Sequence, residues 1–216
     1  MSPRFDHIIW DWNGTLFDDV MLGIDIMNRM LQARGMRTMT LESYQEIFDF
    51  PVRDYYVRLG FDFEKESFEK LGTEFIDGYE LRRNEATLQP DALAVLESFK
   101  QAGIQQSVLS AYKHNTLEHL LTSSGVRHYF DHVIGSDDHY ASGKIEQGRR
   151  FVAQLPQKPD RIVLIGDTVH DFEVSRAMGV HCLLVTSGYH GWNKLTRCGV
   201  PVLENLRSVS EHILGH

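Results

Sequence analysis

The sequence contains few cysteines and no long apolar run. Among its 216 residues only Cys182 and Cys198 are cysteines, too few for a disulfide framework, which a chain of this length does not need. No stretch approaches the roughly 18 apolar residues of a membrane-spanning helix. The first six residues lack the apolar core of a signal peptide. We therefore expect a cytoplasmic protein without a membrane partner.

Positive charge is also scarce. The chain has 22 Lys and Arg residues against 30 Asp and Glu residues, a formal net charge of -8. This balance argues against nucleic acid or an anionic membrane as a general partner. An anionic small molecule would need local positive charge, from a metal ion or from particular Lys and Arg side chains. The hydrophobic fraction of 42% is enough for one substantial core or for a core with a small additional domain. We expect a monomer or a weak homodimer.

Most of the chain has the pattern of an α/β protein. From about residue 87 onward, short apolar runs alternate with helical patterns, which is typical of a parallel sheet with crossover helices. The predicted strands are residues 5–10, 104–109, 132–134, 161–165 and 181–185. The predicted helices are residues 91–101, 116–123, 145–154 and 171–178. The sequence thus predicts a doubly wound parallel sheet.

Residues 16–86 have a different pattern. They contain many charges, no strand-like run, and apolar residues at helical spacing. The spacing is visible in Val20, Ile24, Met27, Met30 and Leu31. We interpret this segment as a helical domain inserted after the first strand. The predicted division is a core of residues 1–15 and 87–216 and a helical cap of residues 16–86.

Two apolar runs end in acidic residues. Residues 7–10 lead into Asp11, and residues 161–165 lead into Gly166-Asp167. In doubly wound sheets, ligands bind outside the carboxyl ends of the strands. Ser110 follows a third predicted strand, and Lys144 opens a helix between two strands. A nucleophile, a hydroxyl group, a cation and a metal ligand at such positions indicate phosphoryl transfer.

Each of these residues has a distinct expected role. Asp11 would attack phosphorus to form an aspartyl phosphate. Mg²⁺ would be held by Asp11, the backbone carbonyl of Asn13 and Asp167, and Asp171 would bind a metal-bound water. Ser110 and Lys144 would bind phosphoryl oxygens.

Simpler interpretations remain open for the same residues. Asn13-Gly14 is also a hairpin signal. Ser110 is also a candidate helix cap, and an isolated lysine such as Lys144 is usually a solvated surface charge. Asp171 is also suited to the helix start, where an acid interacts favourably with the dipole.

Taken in order, these motifs resemble the haloacid dehalogenase superfamily. The match comprises Asp11-x-Asn13-Gly14-Thr15, Ser110, Lys144 and Gly166-Asp167-x-x-x-Asp171. The resemblance is to the helical-cap subclass and its phosphoglycolate-phosphatase-like members. It implies a Rossmann-like core, Mg²⁺ dependence and phosphatase activity on a small-molecule phosphate ester. Ser110, Ala111 and Lys144 would then contact substrate, joined by Arg53 when the cap closes.

One residue departs from the family pattern. Asn13 occupies the place of a second aspartate, which in the family protonates the leaving group and then activates water. An amide cannot carry that proton, and the loss of general acid or base help costs roughly 10²- to 10⁴-fold in rate. We therefore predict a slow or substrate-restricted phosphohydrolase, in which Asp18 or Asp19 is a candidate substitute proton carrier.

Two alternatives follow from the same departure. Some relatives with a non-acidic residue at this position are phosphonate hydrolases that use a cap lysine as a Schiff base, for which Lys65 and Lys70 are the cap's candidates. The other alternative is a regulatory protein that binds a metabolite without turnover.

Overall fold

The computed structural model describes residues 4–136 and 143–215 and has an α/β fold. Its central sheet has six strands in the order β5-β4-β1-β6-β7-β8, and every pair of neighbours is parallel. The sheet strands are β1 (His7–Trp10), β4 (Gln105–Lys113), β5 (His132–Ser136), β6 (Ile162–Gly166), β7 (His181–Val185) and β8 (Val202–Leu203). The predicted doubly wound sheet is confirmed.

Ten α-helices are found in the described part of the chain. Four lie between β1 and β4: α1 (Val20–Ala33), α2 (Leu41–Ile47), α3 (Val52–Leu59) and α4 (Phe68–Arg82). The remaining six are α5 (Ala92–Gln101), α6 (His114–Ser123), α7 (Lys144–Val152), α8 (Val169–Met178), α9 (Trp192–Leu195) and α10 (Leu206–Leu214). None of these helices is long and apolar enough to cross a membrane.

Strand β1 lies at the centre of the sheet and contributes side chains to the apolar clusters on both faces. Successive strand side chains point to opposite faces, so Ile8 and Trp10 join the larger apolar cluster while Ile9 joins the smaller one. The larger cluster includes residues of α5, α6 and α10, and the smaller one includes residues of α7 and α8. Helices therefore cover both faces of the sheet.

Helices α1 to α4 form a cap with its own apolar cluster. The apolar residues that occur at helical spacing in the sequence are buried in this cluster, among them Ile24, Met27 and Leu31. Two short strands, β2 (Phe17–Asp18) and β3 (Thr87–Leu88), pair antiparallel where the chain leaves and re-enters the core. The prediction that residues 16–86 contain no strand was wrong. A two-residue strand paired with a segment about 70 residues away leaves no periodic signal.

The other predicted elements are confirmed with small changes at their ends. Strand β4 continues beyond the predicted residue 109 to Lys113, with a register shift after Leu109. Strand β8 and helix α10 were not predicted. The chain beyond Asn13-Gly14 pairs with β3 and not with β1, so the hairpin interpretation was wrong.

Candidate active site

Three carboxylates meet at the carboxyl edge of the sheet. Asp11 follows β1, Asp167 follows the neighbouring β6, and Asp171 lies in the first turn of α8. One oxygen from each can be chosen so that all three lie within 4.8 Å of one another. Their residues are 8%, 0% and 1% exposed. The sequence expectation that Asp11 and Asp167 converge is met, because parallel neighbours end at the same edge.

Two glycines make room for Asp167. A Cβ atom at Gly14 or at Gly188 would clash with Asp167 Oδ2, and Gly14 also has a φ of +75°, which side chains disfavour. Thr15 Oγ1 donates to Asp167 Oδ1 at 2.7 Å, and the Tyr189 backbone N–H donates to Oδ2 at 2.6 Å. Backbone and side-chain donors thus fix the direction of this carboxylate.

Lys144 bridges two of the three acids. It is 4% exposed, and its Nζ donates to Asp11 Oδ1 and to Asp171 Oδ1, each at 2.6 Å. Although burial favours the neutral amine, the two carboxylates raise the Lys144 pKa above its usual range. The interpretation of Lys144 as a solvated surface charge was wrong.

Asp171 both caps α8 and holds the lysine. Its Oδ2 accepts from the Thr168 backbone N–H at 3.0 Å and from Thr168 Oγ1 at 2.6 Å, forming a capping box. Burial raises the Asp171 pKa, but Lys144 and Thr168 outweigh it and leave the pKa below its usual value. The helix-start role of Asp171 is confirmed, and it coexists with the ion pair.

The other two acids are poorly compensated. Burial raises the pKa of Asp11 to about 7, with Lys144 opposing and Asp171 reinforcing the shift. Burial, followed by repulsion from Asp11 and Asp171, raises the Asp167 pKa well above its usual value. Among the described residues, one lysine contacts this group of three buried carboxylates, through Asp11 and Asp171. An all-oxygen cluster with unbalanced negative charge suits a hard divalent cation.

Ser110 and Ala111 lie on β4, beside β1. Ser110 is 2% exposed, and its Oγ accepts from the Tyr112 backbone N–H at 3.1 Å. Helix α6 begins later, at His114, with no side-chain cap, so the helix-cap interpretation of Ser110 was wrong. Ala111 is half-buried. Contact of these two residues with substrate stays a prediction.

Asn13 contacts Asp19, a buried acid at the point where the chain enters the cap. Asn13 Nδ2 donates to Asp19 Oδ2 at 2.7 Å and to the Tyr79 hydroxyl at 2.9 Å. Asp19 is fully buried, and burial raises its pKa although four hydrogen bonds oppose the shift. Asp18, by contrast, is exposed. Of the two candidate substitutes, only Asp19 lies against Asn13.

The remaining cap candidates lie among other cap residues. Arg53 is exposed, and its guanidinium carbon lies 4.6 Å from the centroid of the Phe63 ring. Its contact with substrate stays a prediction. Lys65 and Lys70 have side chains that are 82% and 68% exposed, and each forms an ion pair within the cap. Neither is the desolvated amine that Schiff-base chemistry needs.

Hydrogen bonds join the cap to the loop after β7. Gln45 Nε2 donates to the Gly188 carbonyl at 2.8 Å. His190 accepts from the Val169 backbone N–H through Nδ1 and donates to the Phe48 carbonyl through Nε2, both at 3.0 Å. His190 is fully buried. These contacts hold the cap against the loop after β7, whose Tyr189 backbone N–H donates to Asp167.

Sequence reasoning missed the tyrosines of this site. Tyr79 lies on α4, and Tyr189 follows Gly188; both hydroxyls donate to Asp19 Oδ2. Glycines on both sides of Tyr189-His190 were the available signal for a close approach of that loop. Tyr79 carried no signal, because it occupies an ordinary position in an amphipathic helix.

Comparisons with known proteins agree with this geometry. The family described as haloacid dehalogenase-like hydrolase matches residues 8–185. Phosphoglycolate phosphatase from Caulobacter vibrioides is 28% identical over 190 residues, covering 84% of this chain and 79% of that protein. The solved structure of a haloacid dehalogenase-like hydrolase from Streptococcus pneumoniae superposes with a TM-score of 0.81 at 18% identity, covering 97% and 98% of the two chains.

A third relative is longer than this chain. Tyrosine-protein kinase PtkA from Mycobacterium tuberculosis is 25% identical over 118 residues, which are 54% of this chain and 40% of the kinase. The match therefore spans less than half of that protein. Because the family match extends from β1 to the end of β7, it includes the acid cluster and the cap. The chain belongs to the haloacid dehalogenase-like hydrolase family.

Proposed function

We propose that this protein is a Mg²⁺-dependent phosphohydrolase that acts on a small phosphorylated metabolite. The observation that carries the proposal is the buried group of Asp11, Asp167 and Asp171, in which Lys144 bridges Asp11 and Asp171. Related phosphatases of similar length support the same reaction class. Within the proposal, residues 16–86 act as the lid over a core of residues 1–15 and 87–216.

The proposed reaction uses Asp11 as the nucleophile. An Asp11 oxygen attacks phosphorus, the bond to the ester oxygen breaks, and an aspartyl phosphate forms. Water then attacks this phosphorus, releases inorganic phosphate and regenerates the carboxylate. Lys144 balances charge on the phosphoryl oxygens, and Ser110 donates a hydrogen bond to one of them. Asp171 keeps the lysine in place through its 2.6 Å contact.

The acids and one backbone carbonyl would hold the metal. We assign Asp11, Asp167 and the carbonyl oxygen of Asn13 as ligands, with Asp171 binding through water. When bound, Mg²⁺ supplies positive charge that lowers the repulsion between the nucleophile and the phosphate. The donors from Thr15 and Tyr189 orient Asp167 for this task in the way that outer-shell partners orient metal ligands.

Asn13 restricts the substrates in this proposal. Its amide nitrogen donates to Asp19 and Tyr79, and an amide cannot protonate a leaving group. Esters with good leaving groups, such as acyl and aryl phosphates, need this proton least. We therefore propose faster turnover on these esters than on alkyl phosphates.

Metal binding should depend on pH. The raised pKa values of Asp11 and Asp167 mean that, without a cation, these groups favour folding below their unfolded pKa and lose this contribution as pH rises through their folded values. A cation binds the ionised form, so its effect grows with pH. At a free concentration of 100 Kd, Mg²⁺ should stabilise the protein by about 2.7 kcal/mol, which raises Tm by roughly 5–10 °C.

This prediction is tested by thermal unfolding with Mg²⁺ or with a chelator at pH 5 and pH 8. The shift should be larger at pH 8 and should be lost in Asp167→Asn. If Mg²⁺ raises Tm equally at the two pH values, and equally in Asp167→Asn and the wild type, the cation binds outside the acid cluster.

The proposed activity is tested by phosphate release from a panel of esters. The panel contains acetyl phosphate, 4-nitrophenyl phosphate, phosphoglycolate and a sugar phosphate, each with Mg²⁺ and with a chelator. Release that requires Mg²⁺ and is fastest on acetyl or 4-nitrophenyl phosphate supports the proposal. No release from any ester, together with measurable ligand binding, favours the regulatory alternative. The exposed cap lysines give no support to the phosphonate hydrolase.

A further inference from the structure

Asp19 occupies an unusual place at the start of the first cap helix. It is the residue before α1, where an aspartate ordinarily accepts from the first backbone N–H groups of the helix. No such side-chain hydrogen bond forms here. The carboxylate is nevertheless fully buried and receives its hydrogen bonds from other parts of the molecule. Helix capping therefore does not explain this acid.

Four donors converge on this carboxylate. Its Oδ1 accepts from the Gly14 backbone N–H at 2.9 Å. Its Oδ2 accepts from Asn13 Nδ2 at 2.7 Å, the Tyr79 hydroxyl at 2.6 Å and the Tyr189 hydroxyl at 2.9 Å. These donors come from the loop after β1, from cap helix α4 and from the loop after β7. One side chain thus ties together the three segments that border the acid cluster.

The contacts also decide how Asn13 is turned. Its amide nitrogen donates to Asp19 and to Tyr79, and the Tyr79 hydroxyl itself donates to Asp19. These bonds hold the amide nitrogen against Asp19 and Tyr79, and Oδ1 has no hydrogen-bond partner among the described residues. Position 13 thus offers a ligand the acceptor oxygen of its amide group. Such an oxygen can orient a water molecule or a leaving-group hydroxyl without taking up its proton.

We infer that Asp19 is a positioning residue, which fixes the amide of Asn13 as an acceptor and fastens α4 to the loop after β7. The same loop donates the Tyr189 backbone N–H to Asp167 at 2.6 Å, so the position of the cap is connected to the acid cluster through one residue. This inference rests on the proposed phosphohydrolase reaction for its kinetic consequence. The arrangement of the hydrogen bonds is independent of that reaction.

Replacing Asp19 by Asn tests the inference with little change in shape. If the new amide nitrogen takes the place of Oδ2, it meets three donors; if it takes the place of Oδ1, it meets the Gly14 N–H. Either orientation releases Asn13 or distorts the loop after β1. Asp19→Ser removes the same acceptors without adding a donor. Asp160→Asn is the matched control, because the same change is made at an exposed aspartate that precedes β6.

The experiment measures kcat and KM for 4-nitrophenyl phosphate and phenyl phosphate in these proteins with Mg²⁺. Both Asp19 variants should lower kcat roughly 10- to 100-fold, the scale of a small misplacement at a reacting centre. The loss of kcat should be larger for phenyl phosphate, because its poorer leaving group depends more on the orienting contact from position 13. Asp160→Asn should stay within about twofold of the wild type, the scale of a surface substitution.

A purely structural role for Asp19 predicts a different result. A smaller folded fraction lowers the rates for both substrates by the same factor and leaves their ratio unchanged, and that outcome would overturn the inference. Crystal structures of the wild type and Asp19→Asn provide a readout without turnover. An unchanged Asn13 amide with its Tyr79 contact intact, together with an unchanged loop after β1, would also overturn the inference. If the wild type releases no phosphate, the proposed function fails, and the crystal structures still decide the role of Asp19.

Discussion

Replacing the nucleophile should abolish phosphate release. Asp11→Asn keeps the size of the side chain but removes the oxygen that would form the aspartyl phosphate. We expect kcat to fall by at least about 10³-fold, or roughly 4 kcal/mol of barrier. The 2.6 Å contact of Lys144 with Asp171 does not involve Asp11, so the variant should retain a cooperative thermal transition. Phosphate release from acetyl phosphate and 4-nitrophenyl phosphate with Mg²⁺ provides the measurement.

Asp160→Asn is a suitable control for this loss. Asp160 is exposed and precedes β6, whereas the acid cluster lies beyond the carboxyl ends of β1 and β6. The control should retain wild-type turnover. Turnover in Asp11→Asn comparable to that of the control would refute the aspartyl-phosphate route. The acid cluster would then have to act on a water nucleophile, and Asp11 would serve only as one of the metal ligands.

The sequence predicted the core of the fold because its strands are continuous apolar runs. A strand buried on both faces, such as β6, has every residue buried and is visible without knowledge of its neighbours. The pairing of Phe17–Asp18 with Thr87–Leu88 was missed because two-residue strands are defined by a partner about 70 residues away. The β4 extension past Leu109 was missed for a related reason: it continues through a register shift with β5.

Part of the candidate site could also be predicted from the sequence. Acids at the ends of β1 and β6 had to converge once the sheet was parallel and the strands were neighbours. The bridging position of Lys144 could not be derived from the residues alone, because it depends on how α7 packs beside α8. Asp19 was visible as an acid at the cap entry, but its four donors come from residues as distant as Tyr189. Side-chain networks of this kind follow from the folded structure and have no periodic pattern in the sequence.

The contacts of Asn13 limit the gain in rate that is expected from Asn13→Asp. Restoring an acid at position 13 ought to accelerate hydrolysis of alkyl phosphates, because general acid and base help is worth roughly 10²- to 10⁴-fold. Here, however, the new carboxylate would face Asp19, since Asn13 Nδ2 lies 2.7 Å from Asp19 Oδ2. Two carboxylates at this distance share one proton, which is held between them and turned away from the leaving group. We therefore expect the single variant to gain at most a few-fold in rate.

The paired variant should recover the missing activity. In Asn13→Asp with Asp19→Asn, an amide again faces a carboxylate, with the two roles exchanged, and the acid at position 13 is free to exchange its proton with substrate and water. We expect its kcat on an alkyl phosphate such as phosphoglycolate to exceed that of either single variant by roughly 10²-fold, equivalent to about 3 kcal/mol of barrier. A double-mutant cycle of the four proteins gives the coupling.

Stability should show the same coupling without any substrate. In Asn13→Asp the shared proton raises the pKa of the carboxylate pair above its unfolded values, so the variant should lose stability relative to the wild type as pH rises from 5 to 8. Asp19→Asn in the same chain should remove this loss. Thermal unfolding with a chelator, at both pH values, measures the effect apart from metal binding. If Asn13→Asp alone matches the paired variant in rate and in Tm, Asp19 does not constrain position 13, and the slow turnover proposed for this protein has another cause.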